Sequence, residues 1–200
     1  VAYDRKDYYF HKAKSENYAA RSAFKLEEMD QRFKIFKSGM QVLDLGAAPG
    51  SWSQYASRKL GSQGRILGID LQEIKLDLPN AHFIQADLRD LNLEDLFRQK
   101  GFPPPFDIVM SDMAPRTTGI RLQDQMRSLE LCELALEIAL RNLKPKGTFI
   151  AKLFHSEDFD GFRQKLRKAF GKVEILRPKS TRKESKEVFL IGLSRLQPTE

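Results

Sequence analysis

The stretch Gln41 to Leu60, QVLDLGAAPGSWSQYASRKL, limits the fold of this chain more than any other. It starts as a short β-rich run, passes through Gly46-Ala47-Ala48-Pro49-Gly50, and continues as a helical run with Ser51 placed as its N-cap. A strand that feeds through a glycine turn into a helix is the opening of a parallel sheet, because parallel neighbours need a crossover between them. The same alternation continues downstream. Arg65–Asp70 (RILGID), Ala81–Gln85 (AHFIQ), Phe106–Ser111 (FDIVMS) and Thr148–Phe154 (TFIAKLF) read as strands. Leu93–Lys100, residues 122–142 and Phe159–Phe170 read as helices, the second closed by Lys144-Pro145-Lys146-Gly147. Lys172–Leu176 and Val188–Leu193 (VFLIGL) are the last strands, and residues 18–34, with Tyr18, Phe24, Leu26, Met29 and Phe33, form a helix before the first. The expected architecture is α/β: a mostly parallel seven-stranded sheet, helices on both faces.

Only the polar stretch Arg177 to Lys186 separates the two final strands, too short for a helical crossover, so they are expected to pair antiparallel at one edge. A Rossmann-like sheet finished in that way resembles the class I methyltransferases that use S-adenosylmethionine. The chain is expected to be one domain over residues 1–200, with residues 1–40 as a basic N-terminal helical extension.

No apolar run approaches eighteen residues and there is a single Cys, which excludes a membrane-spanning helix and a disulfide-stapled module. Cys132, inside an apolar helical pattern, reads as a small core residue of a reducing compartment. No metal-ligand spacing is present, and no metal is expected. The net charge of +7 is unevenly placed: +3 over residues 1–40, −4 over 41–140 and +8 over 141–200. A mildly acidic middle between basic ends suits a small-molecule pocket flanked by a phosphate-binding surface, or solubilising charge alone.

Ligands of doubly wound sheets sit at the carboxyl ends of the strands. The first loop there allows close backbone approach at Gly46 and Gly50, but it lacks the G-x-G-x-x-G spacing and Pro49 removes an N–H, which argues against a dinucleotide pyrophosphate. Asp70 ends the second strand, placed for ribose hydroxyls, and Asp87 comes just after the third, placed for an adenine amine. Any one such Asp is commonly a turn residue; acids in register on three successive strands, together with the glycine loop, describe S-adenosylmethionine. Trp52 is either a core aromatic or a wall of that pocket.

The residues after the fourth strand narrow the methyl acceptor. Ser111-Asp112-Met113-Ala114-Pro115 lacks the Pro-Pro-aromatic run that exocyclic-amine methylation uses, and Cys132 is no loop nucleophile for cytosine C5 chemistry. The outstanding residue is instead Lys152, a lysine inside the apolar strand Ile150-Ala151-Lys152-Leu153-Phe154, where an unpaired ammonium is costly. Lys25, Asp112 and Glu187 complete a candidate constellation, although Lys25 and Glu187 alone read as ordinary solvated positions.

In their flanking sequence these residues resemble the FtsJ/RrmJ family of RNA ribose 2′-O-methyltransferases. The matching strings are Ser22-Ala23-Phe24-Lys25-Leu26, Val42 to Gly50, Trp52-Ser53-Gln54-Tyr55, Ser111 to Pro115, Ala151 to Phe154 and Ser185-Lys186-Glu187-Val188, nearly the whole chain. The resemblance implies a catalytic tetrad at Lys25, Asp112, Lys152 and Glu187. It implies cofactor contacts at Gly50, Trp52, Asp70, Asp87 and Asp112, which Gly46 joins from the loop geometry, and a uridine ribose in the peptidyl-transferase region of large-subunit ribosomal RNA as the target. Two departures are Ser51 in the usual PGGW and Arg116-Thr117-Thr118-Gly119 after the SDMAP string, expected to touch loop geometry and substrate fit.

S-adenosylmethionine is an activated donor, so an enzyme using it needs mainly to align a hydroxyl and take its proton. Lys152 is the expected acceptor; a free lysine, at about pKa 10.4, serves only if desolvation or a second cation such as Lys25 lowers that value. Glu187 would then orient an ammonium, and Asp112 would hold the cofactor and one lysine. RNA is expected on the basic flanks, at Arg5, Lys6, Lys12 and Lys14 among Tyr3, Tyr8, Tyr9 and Phe10, and at Lys179, Arg182 and Lys183, unless those ends are a solvated tail. Open alternatives are a tRNA anticodon-loop or mRNA-cap ribose, a nicotinamide oxidoreductase, and a non-catalytic RNA-binding protein. The chain is expected to be a monomer of the cytoplasm, away from membranes, with a mitochondrial setting open because it starts at Val1.

Overall fold

The computed structural model describes residues 5–156, 159–182 and 185–197, with backbone alone at 5–7. The elements are α1 (Arg5–Ser15), α2 (Ala23–Phe33), β1 (Gln41–Leu45), α3 (Ser51–Leu60), β2 (Arg65–Asp70), β3 (Ala81–Gln85), α4 (Leu93–Lys100), β4 (Phe106–Ser111), α5 (Arg121–Asn142), β5 (Leu143–Phe154), α6 (Phe159–Ala169), β6 (Phe170–Leu176) and β7 (Glu187–Arg195). The strands form one sheet in the order β3-β2-β1-β4-β5-β7-β6. β1 to β5 pair in parallel, and β7 runs against both of its neighbours, β5 and β6.

The one reversed strand therefore lies a place in from the edge, and β6 is outermost. The crossover through α6 leaves a strand-wide gap beside β5, and the short polar link after β6 turns β7 back into it. The composition of β7 fits that interior position: Val188, Phe189, Leu190 and Ile191 are all buried, as a strand covered on both faces requires.

Each sheet face carries its own core. On one, Leu43, Leu67, Val109, Ala151 and Leu190 pack against α4, α5 and α6 through Phe97, Leu136 and Phe162. On the other, Val42, Ile66, Met110, Ile150 and Phe189 pack against α2 and α3 through Leu26, Met29, Trp52 and Tyr55. The expected N-terminal extension is thus partly core, since α2 covers the sheet directly. The helix expected over 18–34 starts only at Ala23, because Asn17 adopts φ 56 and the chain turns there out of the separate helix α1. Lys34, at φ 54, ends α2 in the left-handed cap conformation.

Asp30 ties α2 to its surroundings. Its Oδ1 accepts the N–H groups of Ile35 (2.9 Å) and Phe36 (3.0 Å), and its Oδ2 accepts the Tyr55 hydroxyl of α3 (2.8 Å). Burial and the Asp30 carboxylate both push the Tyr55 phenol up. Asp30→Ala strands three donors and is expected to cost about 3 kcal/mol, seen as a lower urea midpoint at unchanged slope.

Candidate active site

In the strand order the chain departs to both sides of β1, toward β2 and toward β4, so the crevice outside the carboxyl ends of these strands is where a ligand belongs. Gly46 leaves β1 at φ 74, and a Cβ there would lie 3.0 Å from the main chain of Met113. The loops after β1 and β4 touch at this point, and only glycine permits it. Gly50, at φ 100, is the N-cap of α3, where a Cβ would collide with Leu76 of the loop after β2. Ser51 is the first helical residue instead of the cap; its hydroxyl lies 2.6 Å from that of Ser22, so this departure from PGGW links α3 to the start of α2.

Three carboxylates converge on this loop. Asp70 accepts the N–H of Ala48 on Oδ2 (2.9 Å) and that of Gln72 on Oδ1 (2.8 Å), which holds the loop after β1 against β2. Asp44, within β1, is fully buried; its Oδ2 accepts the Ser53 hydroxyl (2.7 Å), while Oδ1 has no hydrogen-bond partner among the described residues. Burial pushes its carboxyl up to about 7, opposed by the Ser53 hydrogen bond and aided by the charges of Asp112 and Asp70. Asp44 was given no role in the sequence. The signal was there: it is the one charged residue of β1, among Val42, Leu43 and Leu45. Asp87 stands apart, half-buried after β3, with Oδ1 closing a turn onto the Arg89 N–H (3.0 Å).

Alternation along the strands places the next groups. Asp112 continues the row of Ile108 and Met110, Lys152 that of Ile150, and Glu187 that of Phe189 and Ile191, all on the face covered by α2, which brings Lys25. The four meet as two pairs. Lys152 donates to the Asp112 main-chain oxygen at 2.6 Å, and its Nζ lies 2.8 Å from Asp112 Oδ1, which receives the charge without a well-directed hydrogen bond. Lys25 is ion-paired with Glu187. Phe189 joins the pairs: it stands opposite Lys152 in the β5–β7 ladder, and its ring lies 5.8 Å from the Lys25 ammonium. Lys25, Lys152 and Glu187 are at most 9% exposed, so Lys25 and Glu187 are not solvated positions.

Trp52 is a core residue, 2% exposed. Its ring packs on Phe189 and its Nε1 donates to the Ser22 carbonyl (3.0 Å), so only its main chain, in the first turn of α3, faces the glycine loop.

The basic flanks divide. Lys12 is occupied by the protein itself, 3.6 Å from Glu27, 3.7 Å from Glu16 and 4.3 Å above the Phe24 ring. Lys14, Lys179 and Arg182 are exposed; the side chains of Arg5 and Lys6, and the whole of Tyr3 and Lys183, lie outside the described residues. Arg21, which no sequence motif marks, sits between Arg182 and Glu187: burial first, and then the Arg182 charge, lower its pKa, while Glu187 opposes. Asp124 is likewise unmarked by any motif. It accepts the Thr118 N–H (2.7 Å) and hydroxyl (2.9 Å) and the Gly119 N–H (3.3 Å), so it fastens the divergent segment after SDMAP to α5.

The FtsJ-like methyltransferase family matches residues 18–195. The chain belongs to this family. Among curated relatives it is 65% identical over 195 residues to the ribosomal RNA large subunit methyltransferase E of Bdellovibrio bacteriovorus, covering 98% of this chain and 100% of the relative. It is 48% identical to the protein of the same name from Desulfatibacillum aliphaticivorans, covering 95% and 91%. A crystal structure of a ribosomal RNA methyltransferase from Plasmodium falciparum superposes with a TM-score of 0.76 at 26% identity, over 90% of this chain and 99% of that one. As a member of the FtsJ-like family the protein is a methyltransferase, and the nicotinamide oxidoreductase reading falls.

Proposed function

We propose that this protein transfers the methyl group of S-adenosylmethionine to a ribose 2′-hydroxyl of large-subunit ribosomal RNA, at a uridine of the peptidyl-transferase region. The observation that carries the cofactor assignment is the convergence of Asp44, Asp70 and Asp112 on the glycine loop, with one buried Asp44 oxygen lacking a partner among the described residues. Three carboxylates repel one another and a phosphate, and they suit a ligand with cationic sulfonium and ammonium groups. When bound, S-adenosylmethionine supplies an electrophilic methyl whose leaving group is a neutral thioether. Gly46, Gly50, the Trp52 main chain, Asp70, Asp87 and Asp112 would hold it.

The protein's own contribution is alignment and a proton acceptor. As the ribose oxygen bonds to the methyl, its proton passes to the lone pair of the unprotonated Lys152 Nζ, which Asp112 positions and which ends as the ammonium. Lys25, fixed by Glu187, contributes a second cation beside the substrate oxygen. The RNA assignment is supported by the names of the relatives and by Lys14, Arg21, Lys179 and Arg182 on the described surface. The bacterial source of these relatives supports a cytoplasmic setting for the protein.

The test is a map of 2′-O-methyl marks on ribosomal RNA from cells with and without the gene. One large-subunit mark is expected to vanish and to be restored on isolated subunits by the purified protein with S-adenosylmethionine. An unchanged map, with no transfer to those subunits, overturns the reading.

A further inference from the structure

Beside the Lys152–Asp112 pair lies a cleft of about 220 Å³ lined by Arg121, Asp124, Gln125, Phe154, Ser185 and Lys186. We propose that it binds the base of a nucleotide flanking the one that is methylated, an inference that rests on the RNA reading above.

Phe154 ends β5 two residues beyond Lys152, about 7 Å along the strand, and pairs with Glu187 across the ladder; Lys186 precedes that glutamate. An RNA strand that presents a ribose to Lys152 must run past this cleft or leave in the opposite direction.

Phe154 is half-buried and supplies an aromatic ring of the kind on which any unpaired base stacks. Arg121 and Lys186 are at the cleft surface, and neither forms an ion pair among the described residues, which leaves both for phosphates on either side of a stacked base. Asp124, the one acid of the lining among the described residues, has its carboxylate oxygens engaged by three bonds from Thr118 and Gly119, and those bonds hold its carboxyl low. Arg121 and Lys186 outweigh that single negative charge, so the described lining is net cationic toward its occupant. Gln125 is fixed by donation to the His155 carbonyl at 2.6 Å, which leaves its amide oxygen as an acceptor for a base edge.

Ile120, Leu122 and Met126, at the start of α5 beside the cleft, are 60%, 67% and 52% exposed. Apolar surface next to the Arg121 and Lys186 cations at the mouth of a site suits a planar ring joined to a charged backbone.

Two assays test this with the intact protein: binding of a labelled, single-stranded oligoribonucleotide of mixed sequence, and methyl transfer to isolated large ribosomal subunits. Phe154→Ala is expected to weaken oligonucleotide binding and raise KM for subunits about tenfold, without moving KM for S-adenosylmethionine. Phe154→Tyr, which keeps the ring, recovers most of that loss; Phe154→Leu, which keeps much of the volume but no π-face, does not, and circular dichroism confirms that each variant is folded. Arg121→Ser with Lys186→Ser lowers the salt dependence of oligonucleotide binding by about one unit of slope. Full affinity in Phe154→Ala, or full recovery in Phe154→Leu, overturns the proposal. A loss confined to intact subunits, with oligonucleotide affinity unchanged, assigns the cleft to a protein contact and overturns it as well. If the wild-type protein methylates no ribosomal RNA, the proposed function fails, and the oligonucleotide assay still decides whether the cleft binds a base.

Discussion

Lys152→Ala is expected to lower kcat by roughly 10²- to 10⁴-fold, the range of a lost general base, in a protein that still folds and still titrates with S-adenosylmethionine. The site supports an effect of that size because Lys152 is buried and held by two oxygens of one residue, 2.6 Å from the main-chain oxygen of Asp112 and 2.8 Å from its Oδ1. A side chain placed this closely has little freedom, so its Nζ, as the unprotonated amine, meets a substrate hydroxyl in a fixed geometry. Lys152→Arg separates the two roles the side chain can play. Arginine keeps the charge but does not give up its proton, so it is expected to be as inactive as alanine. An active Lys152→Arg variant would mean that the position supplies charge alone, and the assignment of the proton acceptor would be wrong. Glu187→Gln gives a smaller loss, because Lys25 keeps a hydrogen-bond partner and loses only its counter-charge.

Lys152 was legible in the sequence as a lone charge in the apolar run Ile150 to Phe154; Asp44, between Leu43 and Leu45, carries the same mark but was given no role. Asp70, Asp87 and the glycine loop were legible because alternation of strand and helix puts them at successive carboxyl ends. Features that depend on which faces and neighbours the topology selects could not be read in advance. Glu187 comes beside Asp112 and Lys152 only because β7 enters beside β5, and a linear pattern shows two terminal strands without saying which is outermost. The burial of Trp52 depends on Phe189 and on the Ser22 carbonyl, both remote in sequence. Arg21 faces Arg182 across most of the chain. Lys12 was read as an RNA contact although Glu16, four residues on, was a local sign that the protein itself could engage it.

Asp44→Asn is expected to stabilise the cofactor-free protein above pH 7 and to change little near pH 4. In the folded chain burial raises the Asp44 carboxyl to about 7 against an ordinary value of 3.8. Between those values the folded state holds a proton that the unfolded state has released, so stability falls as pH rises through the window. The full loss, about 4 kcal/mol, is reached above the folded value. Asparagine is neutral throughout and keeps an acceptor for the Ser53 hydroxyl, so the gap between variant and parent should open with pH in urea melts at pH 4, 6 and 8. A gap independent of pH would show that Asp44 is not held protonated by its surroundings. The cost is expected to have a purpose, since strained charge is commonly kept where a ligand relieves it. Adding S-adenosylmethionine should therefore raise the melting temperature of the parent more at pH 8 than at pH 6, where its cationic groups meet a carboxyl still largely protonated, and Asp44→Asn should lack that increment.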